Sequence, residues 1–305
     1  MSQQMWALID ALVDEQLADW EQARKGFGDL SKIVSKEIPY GAKQYRAQFN
    51  PARMVSSGAK VDKKSIAERP CFLCPHALMK GQKGLLLLGK YLWLINPFPI
   101  LKEHFTIPHL SHIPQELSGE ALGEMAELAE LVAGRYDIYF NGATAGASAP
   151  DHFHFQAGAQ GALPLCEQEV EEWIVESSDS RIGRFESSPR TVLLVEASTL
   201  ETLQTAWDRV YQHITNPHQL NLIMRSTGDG WRLWVILRSK HRPDCYNLVG
   251  EAQMMVSPGV IDMAGVAVLV RPEDYDRMDG TAWHEMMREV SLSDEDFAQL
   301  IEKLR

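Results

Sequence analysis

Polarity alternates most sharply at His152-Phe-His-Phe-Gln156, where polar residues occupy every second position and two phenylalanines lie between them. Side chains two apart share one face of a strand, so the spacing predicts a strand with Phe153 and Phe155 in a core and His152, His154 and Gln156 on the opposite side. Near the start, Trp6, Leu8, Ile9, Leu12, Val13, Leu17 and Trp20 recur at helical spacing, which predicts a helix from Met1 to about Lys25. The stretch from Tyr40 to Arg69 is polar and basic, and a surface strand and loop is one of its two readings, a segment near bound ligand the other. Apolar runs between Gly84 and Ile107, broken by Asn96-Pro97 and Pro99, predict strands. After Ser118, Leu122, Met125, Leu128, Ala129 and Val132 mark a helix that Gly134 ends. A strand at Tyr136 to Phe140 and a loop of small residues from Asn141 to Ser148 complete the run.

The polar stretch from Ser177 to Arg190 is read as a boundary. Beyond it the pattern predicts a strand at Thr191 to Val195, a helix at Thr199 to Ile214, and strands at Gln219 to Met224, Trp231 to Leu237 and Val266 to Arg271. A terminal helix follows, with Ser293 as its cap and acids in its first turn. Strands flanking a helix, given twice, imply an α+β chain of two related units with antiparallel sheets, residues 1–180 and 190–305. The second lacks the His-x-His-x-Gln string. Gly158 to Cys166 is placed to cover the site.

Composition narrows the function. With 305 residues, 45% apolar and 23% charged, the chain can bury a sizeable core. No apolar run approaches the roughly 20 residues that cross a bilayer, and the start lacks a basic segment followed by an apolar one, so a cytoplasmic protein without a membrane partner is expected. A net charge of -11 argues against nonspecific nucleic-acid binding. A mononucleotide needs only a local positive patch. Two candidates are Arg53 to Arg69, with Lys60, Lys63 and Lys64 between, and Arg238-Ser-Lys240-His241-Arg242; each is equally readable as a solvated basic face.

The string itself suits nucleotidyl transfer through a covalent histidine adduct. A neutral imidazole is a competent nucleophile near pH 7, and one ring nitrogen can attack phosphorus while the other is held by an acceptor. His154, at the centre, is the nucleophile candidate, and Gln156 offers a neutral amide donor to a phosphate oxygen. In the loop before them, Asn141, Gly142, Gly146 and Ser148 would let backbone N–H groups approach phosphate.

These residues resemble the transferase branch of the histidine triad (HIT) superfamily, in which glutamine replaces the hydrolases' third histidine. His152-Phe-His-Phe-Gln-Ala157 is most similar to GDP-hexose phosphorylases, and the resemblance extends through 48–53, 103–112, 256–265 and 289–293. Galactose-1-phosphate uridylyltransferases and dinucleoside tetraphosphate phosphorylases share the string and less of the rest. The resemblance implies two HIT-like units in one chain. It also implies a nucleoside diphosphate-sugar or dinucleoside polyphosphate as substrate, with phosphate or sugar phosphate as acceptor. Water as acceptor would make a hydrolase, against which Gln156 speaks because an amide supplies no acid proton. A nucleotide-binding protein that has lost turnover is the non-enzymatic alternative.

Cys71-Phe-Leu-Cys74 can hold one zinc if two further ligands arrive; redox chemistry and coincidence are the other readings of that spacing. Similarity to the uridylyltransferases implies a structural zinc on Cys71, Cys74, His112 and His152, with His109 or His104 as alternatives to His112. Such an ion would anchor the strand that carries His154.

Overall fold

Strands from both halves of the chain join a single ten-stranded sheet in the computed structural model, which describes residues 2–41, 43–54, 58, 63–185 and 188–305. The first half contributes β3 (Gly84–Leu87), β4 (Tyr91–Ile95), β5 (His104–Pro108), β6 (Tyr136–Asn141) and β7 (His154–Ala159). The second contributes β8 (Glu172–Glu176), β9 (Ser180–Arg184), β10 (Thr191–Ala197), β11 (Leu220–Thr227) and β12 (Gly230–Leu237). Their order, β3-β4-β5-β7-β6 followed by β11-β12-β10-β9-β8, repeats one pattern in reverse about the β6–β11 pair. In each half a helix links the third strand to the fourth: α4 (Gly119–Leu131) and α5 (Leu200–Tyr211). The two units thus share one continuous sheet, and the polar stretch read as a boundary contains β9.

Helix starts follow the capping chemistry of the sequence. Ser118 accepts from the Ala121 N–H, Thr199 and Thr202 form a reciprocal capping box, and Ser293 accepts from the Asp296 N–H at the start of α9 (Asp294–Leu304). The expected N-terminal helix is two: α1 (Ser2–Asp19) and α2 (Glu21–Leu30) meet at Trp20, whose extended backbone breaks the run. Trp20 then packs into the interior while Leu8, on the expected apolar face, is exposed.

One face of the large sheet carries Phe153, Phe155, Leu193, Val195, Leu233 and Val235 and is covered by α1, α4, α5 and α9. Each phenylalanine buried there stabilises the fold by about 2 kcal/mol. Over the second unit, the opposite face is covered by a small sheet that the basic stretch 40–69 did not suggest. It consists of β1 (Val34–Tyr40), β2 (Lys43–Phe49) and β13 (Val266–Leu269), with β13 parallel to β2. The strand expected near 266 therefore belongs to a different sheet from β12. No helix among the described residues is long and apolar enough to cross a membrane.

Candidate active site

On the uncovered part of that second face lies a cavity of about 590 Å³, lined by residues of both halves. His154 and Gln156 project into it from β7 because the pleat has committed Phe153 and Phe155 to the core behind them.

His154 is held on three sides. Gln115, itself buried, accepts from the His154 N–H at 2.8 Å and donates through Nε2 to the carbonyls of His154 and Asn141, both at 2.9 Å. The ring Nδ1–H donates to the His152 carbonyl at 2.9 Å, which leaves Nε2 with its lone pair. Burial pushes the imidazole down to about 4, so it is neutral near pH 7.

Gln156 is oriented with equal definition. The Ile100 N–H donates to His104 Nδ1 at 3.1 Å, so the His104 proton sits on Nε2, 3.0 Å from Gln156 Oε1. The glutamine oxygen is thereby engaged and its NH2 is left for the cavity. His104 is fully buried, and burial, with the nearby Arg53 charge, holds it down at about 3. The loop behind it is fastened residue by residue: Arg53, Asn50 and Gln48 donate to the carbonyls of Phe98, Pro99 and Ile100.

Small residues in the loop after β6 serve two purposes. Asn141, Gly146 and Ser148 line the cavity, and among the described residues none accepts a hydrogen bond from the backbone N–H groups of 146, 147 or 148. Gly146 has φ +95°, and a Cβ there would meet the Gly259 Cα at 2.5 Å, so the loop touches the second unit. Gly142 does not line the cavity; a Cβ there would lie 2.4 Å from the His218 carbonyl oxygen, which gives it a packing role. Asn141 Oδ1 accepts from the Val260 N–H and from Asn221 Nδ2, both at 2.7 Å, tying the loop to the second unit again.

The two basic clusters divide. Arg53, Arg69, His241 and Arg242 line the cavity. Lys60 falls outside the described residues, and Lys64 is exposed beside Glu68. Arg238, expected to bind substrate, is buried and spends its guanidinium on Asn221 and on the carbonyls of Val290, Pro258, Lys240 and His241. It holds the loop that presents His241 and Arg242. Lys240 is turned away from the cavity, to Asp244 and Glu289. Gly158 to Cys166, expected over the site, instead packs against 264, where the Leu165 N–H bonds the Ala264 carbonyl.

Beside His154, Cys71, Cys74, His112 and His152 bring four donor atoms within 4.8 Å of one another. Cys71 Sγ and His152 Nδ1 are 3.2 Å apart, Cys74 Sγ and His112 Nδ1 3.4 Å, and the two Nδ1 atoms 3.3 Å. A tetrahedron with bonds of about 2.0 Å to nitrogen and 2.3 Å to sulfur has edges of roughly 3.3–3.8 Å, so the set fits a metal ion. The His152 Nε2–H donates to the His109 carbonyl at 2.8 Å, which leaves Nδ1 for the ion. His109 is outside the set, edge-on to Tyr91, and His104 is committed to Gln156.

Sequence reasoning missed Gln115, the role of His104, Asn221, Ser257 and Asp262. Asp262 lines the cavity and accepts from the Gly259 and Val268 N–H groups at 3.0 and 2.9 Å; burial raises it to about 6. These are single polar residues inside otherwise apolar or loop-like stretches, with no periodicity to announce them.

Residues 12–159 match a family described as a domain of unknown function (DUF4922), and residues 164–304 match the GDPGP1-like C-terminal domain. No curated protein sequence matches the chain. The crystal structure of yeast Ap4A phosphorylase Apa2 is similar over 89% of this chain and 96% of that one, with TM-score 0.61 and 14% identity. The same enzyme in complex with Ap4A gives TM-score 0.59 at 16% identity over the same shares. The chain therefore shares its fold with yeast Ap4A phosphorylase Apa2, and its second half is similar to the GDPGP1-like C-terminal domain.

Proposed function

We propose that the protein is a nucleotidyl phosphorylase acting on a GDP-hexose-like nucleoside diphosphate-sugar or a dinucleoside polyphosphate. The observation that carries this reading is the His154 tautomer: Nδ1–H is fixed on the His152 carbonyl and Nε2 is presented to a cavity it shares with Gln156. The Nε2 lone pair attacks the α-phosphorus, forming a P–N bond as the bond to the bridging oxygen breaks. Nδ1 keeps its proton, so the adduct is an imidazolium and the sugar phosphate leaves as the anion. Because that leaving group is stable without protonation, an amide at 156 suffices where an acid would otherwise be needed. An oxygen of inorganic phosphate then attacks the same phosphorus, the P–N bond breaks, and the neutral imidazole returns with a nucleoside diphosphate.

The Gln156 NH2, the N–H groups of 146–148, and Arg53 and Arg242 are suited to the phosphate oxygens of substrate and transition state. Cys71, Cys74, His112 and His152 would hold a zinc ion, a structural staple for the segment before β7 with all four positions filled by protein. Similarity in fold to an enzyme solved with Ap4A supports a nucleotide substrate. The test is turnover of GDP-glucose and of diadenosine tetraphosphate with and without phosphate. Nucleoside diphosphate released only when phosphate is present is expected; phosphate-independent release of monophosphate would make the protein a hydrolase.

A further inference from the structure

The reversed strand order of the large sheet relates the two units by a two-fold axis, and centring that axis on the Tyr139–Ile223 pair fixes which residues correspond. β4 then falls on β9 over its whole length, and the end of β7 falls on the end of β12. The pairs that Gln156 makes with Thr106 and Tyr139 fall on those that Trp234 makes with Leu194 and Ile223. Trp234 thus stands where the first unit has Gln156, and Arg232 stands where it has His154. Arg225 takes the place of Asn141.

At these positions the same face of the sheet carries a second pocket, of about 420 Å³, and none of its lining residues also lines the main cavity. Arg181, Arg225, Arg232, Glu196, Trp173 and Trp234 form much of it. Arg181 Nε and Arg232 Nε reach the two oxygens of one carboxylate, Glu196, at 2.6 and 2.7 Å, so two guanidiniums share a single compensating charge. Both arginine side chains remain open to solvent, 42% and 43% exposed, and Arg181 is laid over the Trp173 ring at 3.9 Å.

The opposite wall has the reverse character. Arg225 is committed to the buried Asp137, through Nε at 2.8 Å and Nη2 at 2.9 Å, and reaches Glu167 at 3.1 Å. Glu167, Gln168 and Glu169 line that wall and give it an excess of acceptors. Trp234 is 1% exposed, and its indole N–H has no acceptor among the described residues. A buried donor left in that state costs stability unless a ligand accepts from it. Arginine cannot attack phosphorus, and burial pushes the Cys166 thiol in the wall well above its ordinary value, so the pocket can bind without reacting.

We infer that this pocket is a second, non-reacting ligand site, standing where the internal repeat would otherwise put a catalytic one, and that it takes a sugar phosphate. The phosphate lies on Arg181 and Arg232, whose planar forks suit a tetrahedral dianion better than the one carboxylate they share. The hydroxyl groups lie toward Glu167, Gln168 and Glu169, which accept from them, and toward the Trp234 N–H, which donates. An anion at one end and hydroxyls at the other match a pocket that is cationic on one wall and acidic on the other. No residue of the His154 cavity takes part, so the site does not depend on the chemistry of that cavity.

The experiment is calorimetric titration of glucose 1-phosphate, inorganic phosphate and glucose into the full chain, for wild type, Arg232→Gln, Arg181→Gln and, in the main cavity, Arg242→Gln. Glucose 1-phosphate is expected to bind the wild type more tightly than phosphate or glucose. Its affinity should fall by about tenfold or more in Arg232→Gln and in Arg181→Gln, and this binding should persist within about twofold in Arg242→Gln. Each pocket variant leaves Glu196 one arginine partner, and thermal melts confirm folding; Arg181→Gln carries the test if Arg232→Gln does not fold. Four results would overturn the assignment: no binding of glucose 1-phosphate to the wild type, unchanged affinity in both folded pocket variants, loss of that binding in Arg242→Gln, or inorganic phosphate bound as tightly as the sugar phosphate. Turnover at His154 is measured separately, so its absence would strike the phosphorylase reading and leave this comparison intact.

Discussion

His104 Nε2 lies 3.0 Å from Gln156 Oε1, and because the Ile100 N–H occupies Nδ1, the imidazole can only donate. An amide that would otherwise rotate between two equivalent settings is thereby fixed with its NH2 toward the cavity.

Replacing His104 with alanine is expected to lower kcat by about 10- to 100-fold through loss of that orientation, with a smaller change in KM. Glutamine at 104, which retains a donor, restores part of it. Steady-state kinetics of both variants check this; equal rates in wild type and His104→Ala would show that the amide needs no support.

The same residue gives the protein a pH dependence of stability. Its folded-state pKa, about 3, lies below the unfolded value near 6.5, so between these values the unfolded chain binds more protons. Stability from His104 is complete above about pH 6.5 and is lost as pH falls, by about 2 kcal/mol at pH 5. Urea unfolding at pH 7 and pH 5 is expected to show this difference in the wild type and a correspondingly smaller one in His104→Gln.

Gln115 tests the scaffold. Leucine at this position removes the acceptor for the His154 N–H and the donor to the carbonyls of His154 and Asn141. A stability loss of about 2–4 kcal/mol is expected. Adduct formation should slow by up to about 100-fold as His154 loses its alignment. Denaturant melts and single-turnover kinetics measure the two effects separately.

Metal content is checked by elemental analysis of the purified chain. One zinc per chain is expected, lost in Cys71→Ser/Cys74→Ser, with a melting temperature lower by at least about 5 °C. Metal content unchanged in the double variant would move the ion elsewhere.

What the sequence disclosed and what it hid follow from the range of the interactions involved. The β7 alternation, the helix caps at Ser118, Thr199 and Ser293, and the Cys71–Cys74 spacing are local patterns, and each placed its element or side chain as expected. Arg238 misled because its five N–H donors are satisfied across the fold, and charge alone does not reveal whether a guanidinium faces ligand or backbone. The small sheet was hidden because β2 and β13 pair from more than 200 positions apart, with no pattern linking them. Gln115 and His104 act on His154 and Gln156, about 40 and 50 positions away, through contacts that only the folded chain brings together.

The central claim is that His154 carries the nucleotidyl group. Wild type and His154→Asn are mixed with GDP-glucose or diadenosine tetraphosphate without phosphate, and the intact mass is recorded. The account predicts a gain of one nucleoside monophosphate on the wild type, mapped to His154 and discharged by added phosphate, and none on His154→Asn. Phosphate-dependent turnover with no adduct at any time, or an adduct that persists in His154→Asn, would contradict it.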